Sequence, residues 1–448
     1  MPSSGGALAA AGPRAVRSGR RSAAATRHAA GGIPAVTPAH LYLHVPFCAR
    51  RCCYCDFAVT ATPAAPVDAW LDAIAAELAL HARAAGWPLP LRPATVYCGG
   101  GTPSLLGPDA MARLRQRLEP LATWDAGAEW TCEANPESFT AELAQGWAEA
   151  GVNRISLGAQ TFHEPALRWM GRLHGPDGPA RAIAAARGAG LDNVSLDLIF
   201  GLPARLGRDW SRDLGRALAL EPAHISLYGL TAESATPLGR WVAEGRERMA
   251  DEDAYAAEYL AAATRLVAAG YDHYEVSNFA RPGRASRHNR AYWDGSAYLG
   301  LGPGAHSFLP PHRSWNVRDW ADYRRRIEER VSAVEGGEEV TGEAALLERI
   351  WLGLRQEQGL RAVDLNEAGR RRAAGWAARG WAEVDGAVRL TAEGWLLLDR
   401  LAVELADDAP SAAGPGAVAA DVIAAASLTR PALPGEDYGF SPQSRQDA

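Results

Sequence analysis

From residue 41 to residue 228 the chain repeats one pattern: a short apolar or β-branched run, a turn, then a longer stretch whose apolar positions recur at helical spacing. The runs at 41–46, 94–98, 129–133, 154–157, 193–200 and 224–228 predict strands, and 69–85, 108–121 and 179–187 predict helices between them. Strands separated by helix-length intervals imply βα units and a parallel sheet. Six such units fit a partial (β/α)6 TIM-like barrel. Polar residues gather where successive runs end: a cysteine loop after the first, Gly99-Gly-Gly-Thr-Pro103 after the second, Glu133 closing the third, Gln160 just past the fourth, and Asp197 on the fifth before Gly201-Leu-Pro203. Barrels build their chemistry at the C-terminal ends of several strands. Five consecutive units here carry polar residues at that end.

Beyond the barrel the pattern changes. The boundaries predicted are a barrel over 39–275, a connecting segment over 276–335, and a C-terminal domain over 336–406 that reads as helices, a small hairpin around Gly380–Thr391 and a last helix. That order is winged-helix-like, but acidic residues and arginines nearly balance there, so packing or a lid is favoured over DNA binding. Residues 1–38 are rich in Ala, Gly, Ser and Arg without an acidic residue, and 407–448 are rich in Ala, Pro, Gly and Asp; both read as disordered tails. The first of them also has the composition of a mitochondrial transit peptide, though it lacks an amphipathic apolar face.

Composition narrows the class. The 448 residues are 48% hydrophobic, enough for a large core, and no apolar run approaches a membrane span. Net charge is −6 and no basic stripe is visible, which gives nucleic acid no electrostatic foothold. All 46 basic residues are arginine, a bias of coding composition rather than of function. Six cysteines in this length are no disulfide framework and suit a reducing compartment, so a cytoplasmic location is predicted, with a mitochondrial one as the alternative if the N-terminal tail is a transit peptide.

Three of those cysteines, Cys48, Cys52 and Cys55, lie in one short loop directly after the first strand. Three thiolates are one too few for a closed zinc site or a fully protein-ligated iron–sulfur cluster, leaving one metal position open to a reacting ligand. The spacing alone also admits a zinc knuckle completed by His44 or Cys53. Cys53 is read as a non-ligand, because neighbouring residues in a turning loop point in different directions. Cys98 and Cys132 end apolar runs and are read as small buried hydrophobes.

The run Cys48-Ala-Arg-Arg-Cys-Cys-Tyr-Cys55 resembles the signature of the radical S-adenosylmethionine (radical SAM) superfamily. The resemblance implies a 4Fe–4S cluster on Cys48, Cys52 and Cys55, with S-adenosylmethionine chelating the fourth iron. It assigns Gly100, Gly101 and Thr102 to the methionyl end of that cofactor and an acidic residue to its ammonium or ribose, where Glu133 is preferred over Glu137. Further strings, Leu41-Tyr-Leu-His-Val-Pro-Phe-Cys48, Asn153-Arg-Ile-Ser-Leu-Gly-Ala-Gln-Thr-Phe162, Arg172-Leu-His174 and Ser195-Leu-Asp-Leu-Ile-Phe-Gly-Leu-Pro203, are similar to the coproporphyrinogen oxidase-like branch. There Tyr42 borders the cofactor or substrate, Gln160 and Asp197 hydrogen-bond it, and Arg172 meets a carboxylate.

Within that branch the resemblance divides between an oxygen-independent coproporphyrinogen III dehydrogenase of porphyrin biosynthesis and a heme chaperone. The dehydrogenase carries a fourth cysteine where this chain has Phe57, and a longer structured N-terminal segment. His288-Asn-Arg-Ala-Tyr-Trp293 resembles the chaperone's His-Asn-x-x-Tyr-Trp motif, which implies heme at His288, Tyr292 and Trp293, with His306 and His273 as competing ligands. The function expected is therefore a heme chaperone that binds heme, a 4Fe–4S cluster and S-adenosylmethionine and delivers heme to hemoproteins such as respiratory enzymes. The dehydrogenase is the alternative. The partners implied are heme and its recipients, not nucleic acid; peripheral membrane association and a homodimer stay open.

Overall fold

A computed structural model describes residues 36–408, so the two predicted tails fall almost wholly outside the described residues. Six parallel strands, β1 His40–Val45, β4 Thr95–Gly100, β5 Glu129–Ala134, β6 Arg154–Gln160, β7 Val194–Phe200 and β8 His224–Gly229, form the centre of a 12-stranded sheet in chain order. Two very short strands, β2 Phe47–Cys48 and β3 Thr60–Ala61, pair with each other at the two ends of the cysteine loop. The crossovers contain α1 Val67–Ala85, α2 Ala110–Leu118, α3 Ala141–Ala150, α4 Glu164–Met170, α5 Gly178–Gly188 and α6 Trp210–Ala219. The partial barrel predicted from the alternation is the fold observed.

Local chemistry sets the boundaries. Thr140 caps α3 by accepting from the Leu143 amide at 3.1 Å, and Gly151 ends it with φ 101°, a left-handed turn that glycine enters without steric cost. Asp209 caps α6 in the same manner. On the outer sheet face Val96, Cys98, Trp130, Cys132 and Ile155 are fully buried beneath the helices, and Cys132 Sγ lies 3.5 Å from the Met111 thioether. Cys98 and Cys132 are the buried hydrophobes their context suggested.

After β8 come α7 Pro237–Ala243 and α8 Glu252–Ala268, and then the sheet grows at both edges. β9 Asp272–Glu275 and β10 Asn278–Ala280 add antiparallel beyond β8. The helix α9 Arg287–Trp293 follows, and β11 Tyr298–Leu301 returns to pair parallel with β1, extended antiparallel by β12 His306–Leu309, β13 His312–Asn316 and β14 Val334–Glu339. Residues 276–335 thus belong to the sheet itself, with α10 Trp320–Glu328 packed on α1. The alternation of β9 to β14 is weaker because these strands are short or edge-facing; β14 alternates half-buried and exposed positions in Val-Glu-Gly-Gly-Glu-Glu.

The C-terminal part comprises α11 Gly342–Leu354, β15 Leu360–Arg361, α12 Glu367–Ala377, β16 Ala382–Val384, β17 Ala387–Leu390, α13 Ala392–Trp395 and α14 Leu398–Asp407. Its three strands form a small antiparallel sheet, giving the helical, winged-helix-like pattern anticipated. A buried ion pair, Arg355 Nη2 to Glu275 Oε2 at 3.2 Å, fastens it to the barrel, and the Arg355 guanidinium lies 4.0 Å from the Trp293 ring centroid.

Candidate functional site

The period-two alternation of the barrel strands turns one set of side chains into the lumen. Tyr42, Tyr97, Glu133, Asp197 and Tyr228 are each half-buried, on five of the six barrel strands, between neighbours that are buried. Registered pairing sets them side by side: Tyr42 opposite Tyr97, Glu133 opposite Ser156, Asp197 opposite Ser226. Deeper in the lumen Arg154, Ser195, His224 and Ser226 are buried. The Asp197 carboxylate accepts from Ser156 Oγ at 3.0 and 3.1 Å and from Ser195 Oγ at 3.2 Å; burial pushes its pKa up, while these hydroxyls and Arg154 oppose the shift.

Glu133 closes one wall. It accepts from Tyr97 OH at 2.8 Å and from the Gly100 amide at 2.8 Å, and burial raises its pKa to about 7 against both donors. Glu137, by contrast, is exposed. In the glycine loop the amides are spent inward: Gly100 on Glu133, Gly101 on Val45 O at 2.7 Å, Thr102 on Phe47 O at 2.8 Å. What such a loop can turn to a ligand is carbonyl oxygen, a partner for an ammonium. A Cβ on Gly101 would stand 2.7 Å from the carbonyls of Val45 and Phe47, so glycine there lets the loop lie against β1 and the start of the cysteine loop. At Gly100, φ 106° and the His44 imidazole impose the same choice.

The cysteine loop is pinned on both flanks. His44 is buried and neutral, its pKa pushed down to about 4 by burial; it donates from Nε2 to Ala58 O at 2.9 Å and meets Tyr42 OH through Nδ1 at 3.0 Å. With both nitrogens engaged, His44 does not complete a zinc knuckle. Cys53 is turned away from its neighbours, its thiol donating to Trp169 O at 3.5 Å, its amide to Met170 O at 3.2 Å, and its carbonyl accepting from Leu238 at 2.9 Å. Cys48, Cys52 and Cys55 remain half-buried. Burial pushes the Cys48 thiol up and the Cys55 thiol to about 12, so the thiolates require a cation's compensation. A donor faces each sulfur: Thr102 Oγ1 at 3.4 Å from Cys48, Arg172 Nη1 at 3.8 Å from Cys52, and the Phe57 amide favouring thiolate at Cys55.

Gln160, at the end of β6, adopts φ 64°, a strained conformation for a residue with a side chain, in a register shift between β6 and β7. Asp213 on α6 holds that turn: it is buried, accepts from the Phe162 amide at 3.1 Å, and forms a short hydrogen bond with the Thr161 hydroxyl. Glu258 on α8 similarly holds the Gly201 loop, accepting from the Gly201 amide at 2.7 Å and from Arg208. The structure therefore brings Tyr42, Gly100, Gly101, Thr102, Glu133, Gln160, Arg172 and Asp197 to the lumen or the same mouth as the cysteines. Tyr97, Asn135, Arg154, Asp213 and Glu258 were not singled out from sequence. Polar residues at every second strand position, as in Thr131-x-Glu133 and Arg154-x-Ser156, were the signal for the lumen members; Asp213 and Glu258 sit on helices and carry none.

The predicted heme residues lie elsewhere. α9 closes the opposite, N-terminal end of the barrel: the amides of Arg287 and His288 donate to Glu129 at 3.0 Å each, at the start of β5. His288 is 1% exposed, with Nδ1 2.6 Å from Thr95 Oγ1 and Nε2 3.0 Å from Tyr292 OH. Tyr292 and Trp293 are buried beside it, Trp293 beneath α11. In this packing both ring nitrogens of His288, the axial ligand that the resemblance implies, are committed inside the protein, and Tyr292 and Trp293 are buried. His273 is stacked on Phe279 and bonded to Val276 O at 3.3 Å. His306 differs: the residue is half-buried, its Nδ1 is buried but has no hydrogen-bond partner, and it lies at the cysteine end of the barrel, near His44 and Arg318.

Comparison with known proteins agrees with this geometry. The Radical SAM superfamily pattern matches residues 42–212, which span the cysteine loop and β1 to β7. Fold and cysteine loop together define a radical SAM protein. The heme chaperone HemW of Mycobacterium tuberculosis is 40% identical over 367 residues, 81% of this chain and 93% of that protein. HemW of Bacillus subtilis is 34% identical over 320 residues, 71% of this chain and 84% of its own. The chain belongs to the radical SAM superfamily and, within it, to the HemW family. Coproporphyrinogen III oxidase (HemN) of Escherichia coli shares the fold, with a TM-score of 0.70 at 22% identity over 83% of this chain and 91% of that one.

Proposed function

We propose that the protein is a heme chaperone: it carries a 4Fe–4S cluster on Cys48, Cys52 and Cys55, binds S-adenosylmethionine in the barrel mouth, and holds heme for delivery to recipient hemoproteins. The observation that carries the reading is the 40% identity with a protein named heme chaperone over 93% of that protein's length.

The donor set suits the cluster. Among the described residues no three His, Cys, Asp or Glu side chains converge on a single ion. In a cubane each thiolate takes its own iron, and three cysteines in one loop leave the fourth iron open to S-adenosylmethionine. Held by Cys48, Cys52 and Cys55, the cluster would supply one-electron reduction of a bound sulfonium. The remaining work falls to the chain. Carbonyls of the glycine loop and the Glu133 carboxylate receive the ammonium of S-adenosylmethionine, and Arg172 and Gln160 line its path. Residues 39–275 act as the cofactor-binding barrel, 276–335 close its two ends, and 336–406 brace α9. For heme we favour His306 at the cysteine end of the barrel, whose ring is neutral, its pKa pushed down to about 4 by burial, and whose buried Nδ1 has no hydrogen-bond partner, so ligation there requires the ring to turn outward.

Among the described residues no helix is long and apolar enough to cross a membrane. The test is to reconstitute the protein anaerobically, titrate heme while following the Soret band, then add a respiratory apo-hemoprotein. Saturable binding followed by transfer supports the reading; failure to saturate overturns it.

A further inference from the structure

Three polar side chains, Arg172, Asn135 and Thr102, form one uninterrupted chain of four hydrogen bonds between two of the cysteines. Arg172 donates from Nη1 toward Cys52 Sγ at 3.8 Å and from Nη2 to Asn135 Oδ1 at 2.6 Å. Asn135 Nδ2 donates to Thr102 Oγ1 at 3.2 Å, and Thr102 Oγ1 donates to Cys48 Sγ at 3.4 Å. The direction of every link follows from the donor inventory. A guanidinium only donates, so the asparagine oxygen must face Arg172 and its NH2 must face Thr102. The Thr102 hydroxyl has a single proton; with its oxygen already accepting from Asn135, that proton goes to sulfur. Were the amide reversed, its oxygen would take the Thr102 proton away from Cys48 and its NH2 would oppose the guanidinium.

Asn135 is itself fixed. Its backbone amide donates to Ser104 Oγ at 3.2 Å, and Ser104 meets Ser138 Oγ at 2.6 Å. Arg172 is fixed by a second bond, from Nη2 to Gly158 O at 2.7 Å. The chain is therefore held at its middle by the loop after β5 and at one end by β6, and two donors point at sulfur.

We propose that Asn135 is a positioning residue that aims Thr102 at Cys48 and Arg172 at Cys52, and thereby raises the reduction potential of the cluster. The inference rests on the proposed cluster ligation by those cysteines. Reduction adds one negative charge to the cluster, and donors to its sulfurs stabilise the reduced form more than the oxidised one.

The experiment is an EPR-monitored, mediator-poised redox titration of anaerobically reconstituted full-length protein, with iron and sulfide counted in each sample. Asn135→Ala and Thr102→Val are each expected to retain full iron while the ratio of reduced to oxidised cluster at a fixed potential falls about tenfold, a shift of about 59 mV for one electron. Thr102→Ser keeps the hydroxyl and should titrate as the unaltered protein does. In the double variant Asn135→Ala/Thr102→Val the shift should be smaller than the sum, because both act on the Cys48 bond. If Asn135→Ala loses iron, the pair Thr102→Val and Thr102→Ser decides. Unchanged potentials at full iron content in the variants that hold the cluster overturn the proposal; an unaltered protein that takes up no cluster refutes the ligation on which it rests.

Discussion

Arg172 Nη2 donates to Asn135 Oδ1 at 2.6 Å, joining the segment after α4 to the loop after β5 at the mouth of the barrel. That single bond changes what Arg172 does. As a lone cation beside a barrel it would be free to meet a ligand's carboxylate, but Nη2 is taken by Asn135 and Gly158 and Nη1 faces Cys52. Burial would lower its pKa, and the surrounding Tyr54, Cys52 and Glu137 raise it instead, so the positive charge is secure beside the cysteine loop.

Cys53 separates cleanly from its neighbours. Replacing Cys48, Cys52 or Cys55 by Ala should abolish the oxygen-sensitive cluster, whereas Cys53→Ala should keep it, because the Cys53 thiol is bonded to Trp169 O behind the loop. Iron counting and visible absorption of the four reconstituted variants check this. Cluster lost in Cys53→Ala and kept in Cys52→Ala would reverse the assignment.

Glu133 should make binding of S-adenosylmethionine depend on pH. Its carboxyl is raised to about 7, so in the folded protein it binds a proton that the unfolded chain has already lost above its ordinary value of 4.5. Stability from this group is therefore greatest at low pH and falls as pH rises through 7. An ammonium ligand needs the carboxylate. Affinity should climb about tenfold per pH unit below 7 and level off above it, and Glu133→Gln should flatten the profile. Calorimetric titrations between about pH 6 and pH 8, about one unit either side of that pKa, give the answer; a sloped profile in Glu133→Gln would remove Glu133 from the site.

Asp213→Ala removes the acceptor for the Thr161 hydroxyl and the Phe162 amide. The buried donors left behind should cost about 1–3 kcal/mol of stability, and the relaxed turn should release Gln160 from its left-handed conformation. Weaker S-adenosylmethionine binding with iron content unchanged is the expected outcome. Denaturant unfolding and calorimetry on the same sample measure both.

His288 and His306 should behave oppositely. His288→Ala strips partners from Thr95 and Tyr292 at the closed end of the barrel, so it should destabilise the fold by about 1–3 kcal/mol while heme titration stays saturable. His306→Ala should leave stability nearly unchanged and weaken heme binding about tenfold, the loss of roughly 1.4 kcal/mol. Heme binding lost in His288→Ala at full stability would restore the axial role to His288.

The legible part of this protein is the part in which one strand carries one message. β1 and the cysteine loop, the glycine loop, Glu133 and Asp197 could be read because each sits at or near the end of an apolar run. Asn135, between Glu133 and Glu137, carries no such signal, since an asparagine before proline reads as a turn residue and its amide partners are set by chain far away in sequence. The packing of α9 was illegible for the same reason: a His-Asn-x-x-Tyr-Trp string is consistent with an open face, and only the three-dimensional contacts with Thr95, Glu129 and Arg355 show it closed.

The central claim is that this radical SAM barrel handles heme rather than making its precursor. Incubating the anaerobically reconstituted protein with S-adenosylmethionine, a reductant and coproporphyrinogen III, and assaying protoporphyrinogen alongside a Soret titration with heme, tests it most directly. Saturable heme binding with no protoporphyrinogen is the predicted result. Protoporphyrinogen formed over many turnovers, with no saturable heme binding, would contradict it and make the protein a dehydrogenase.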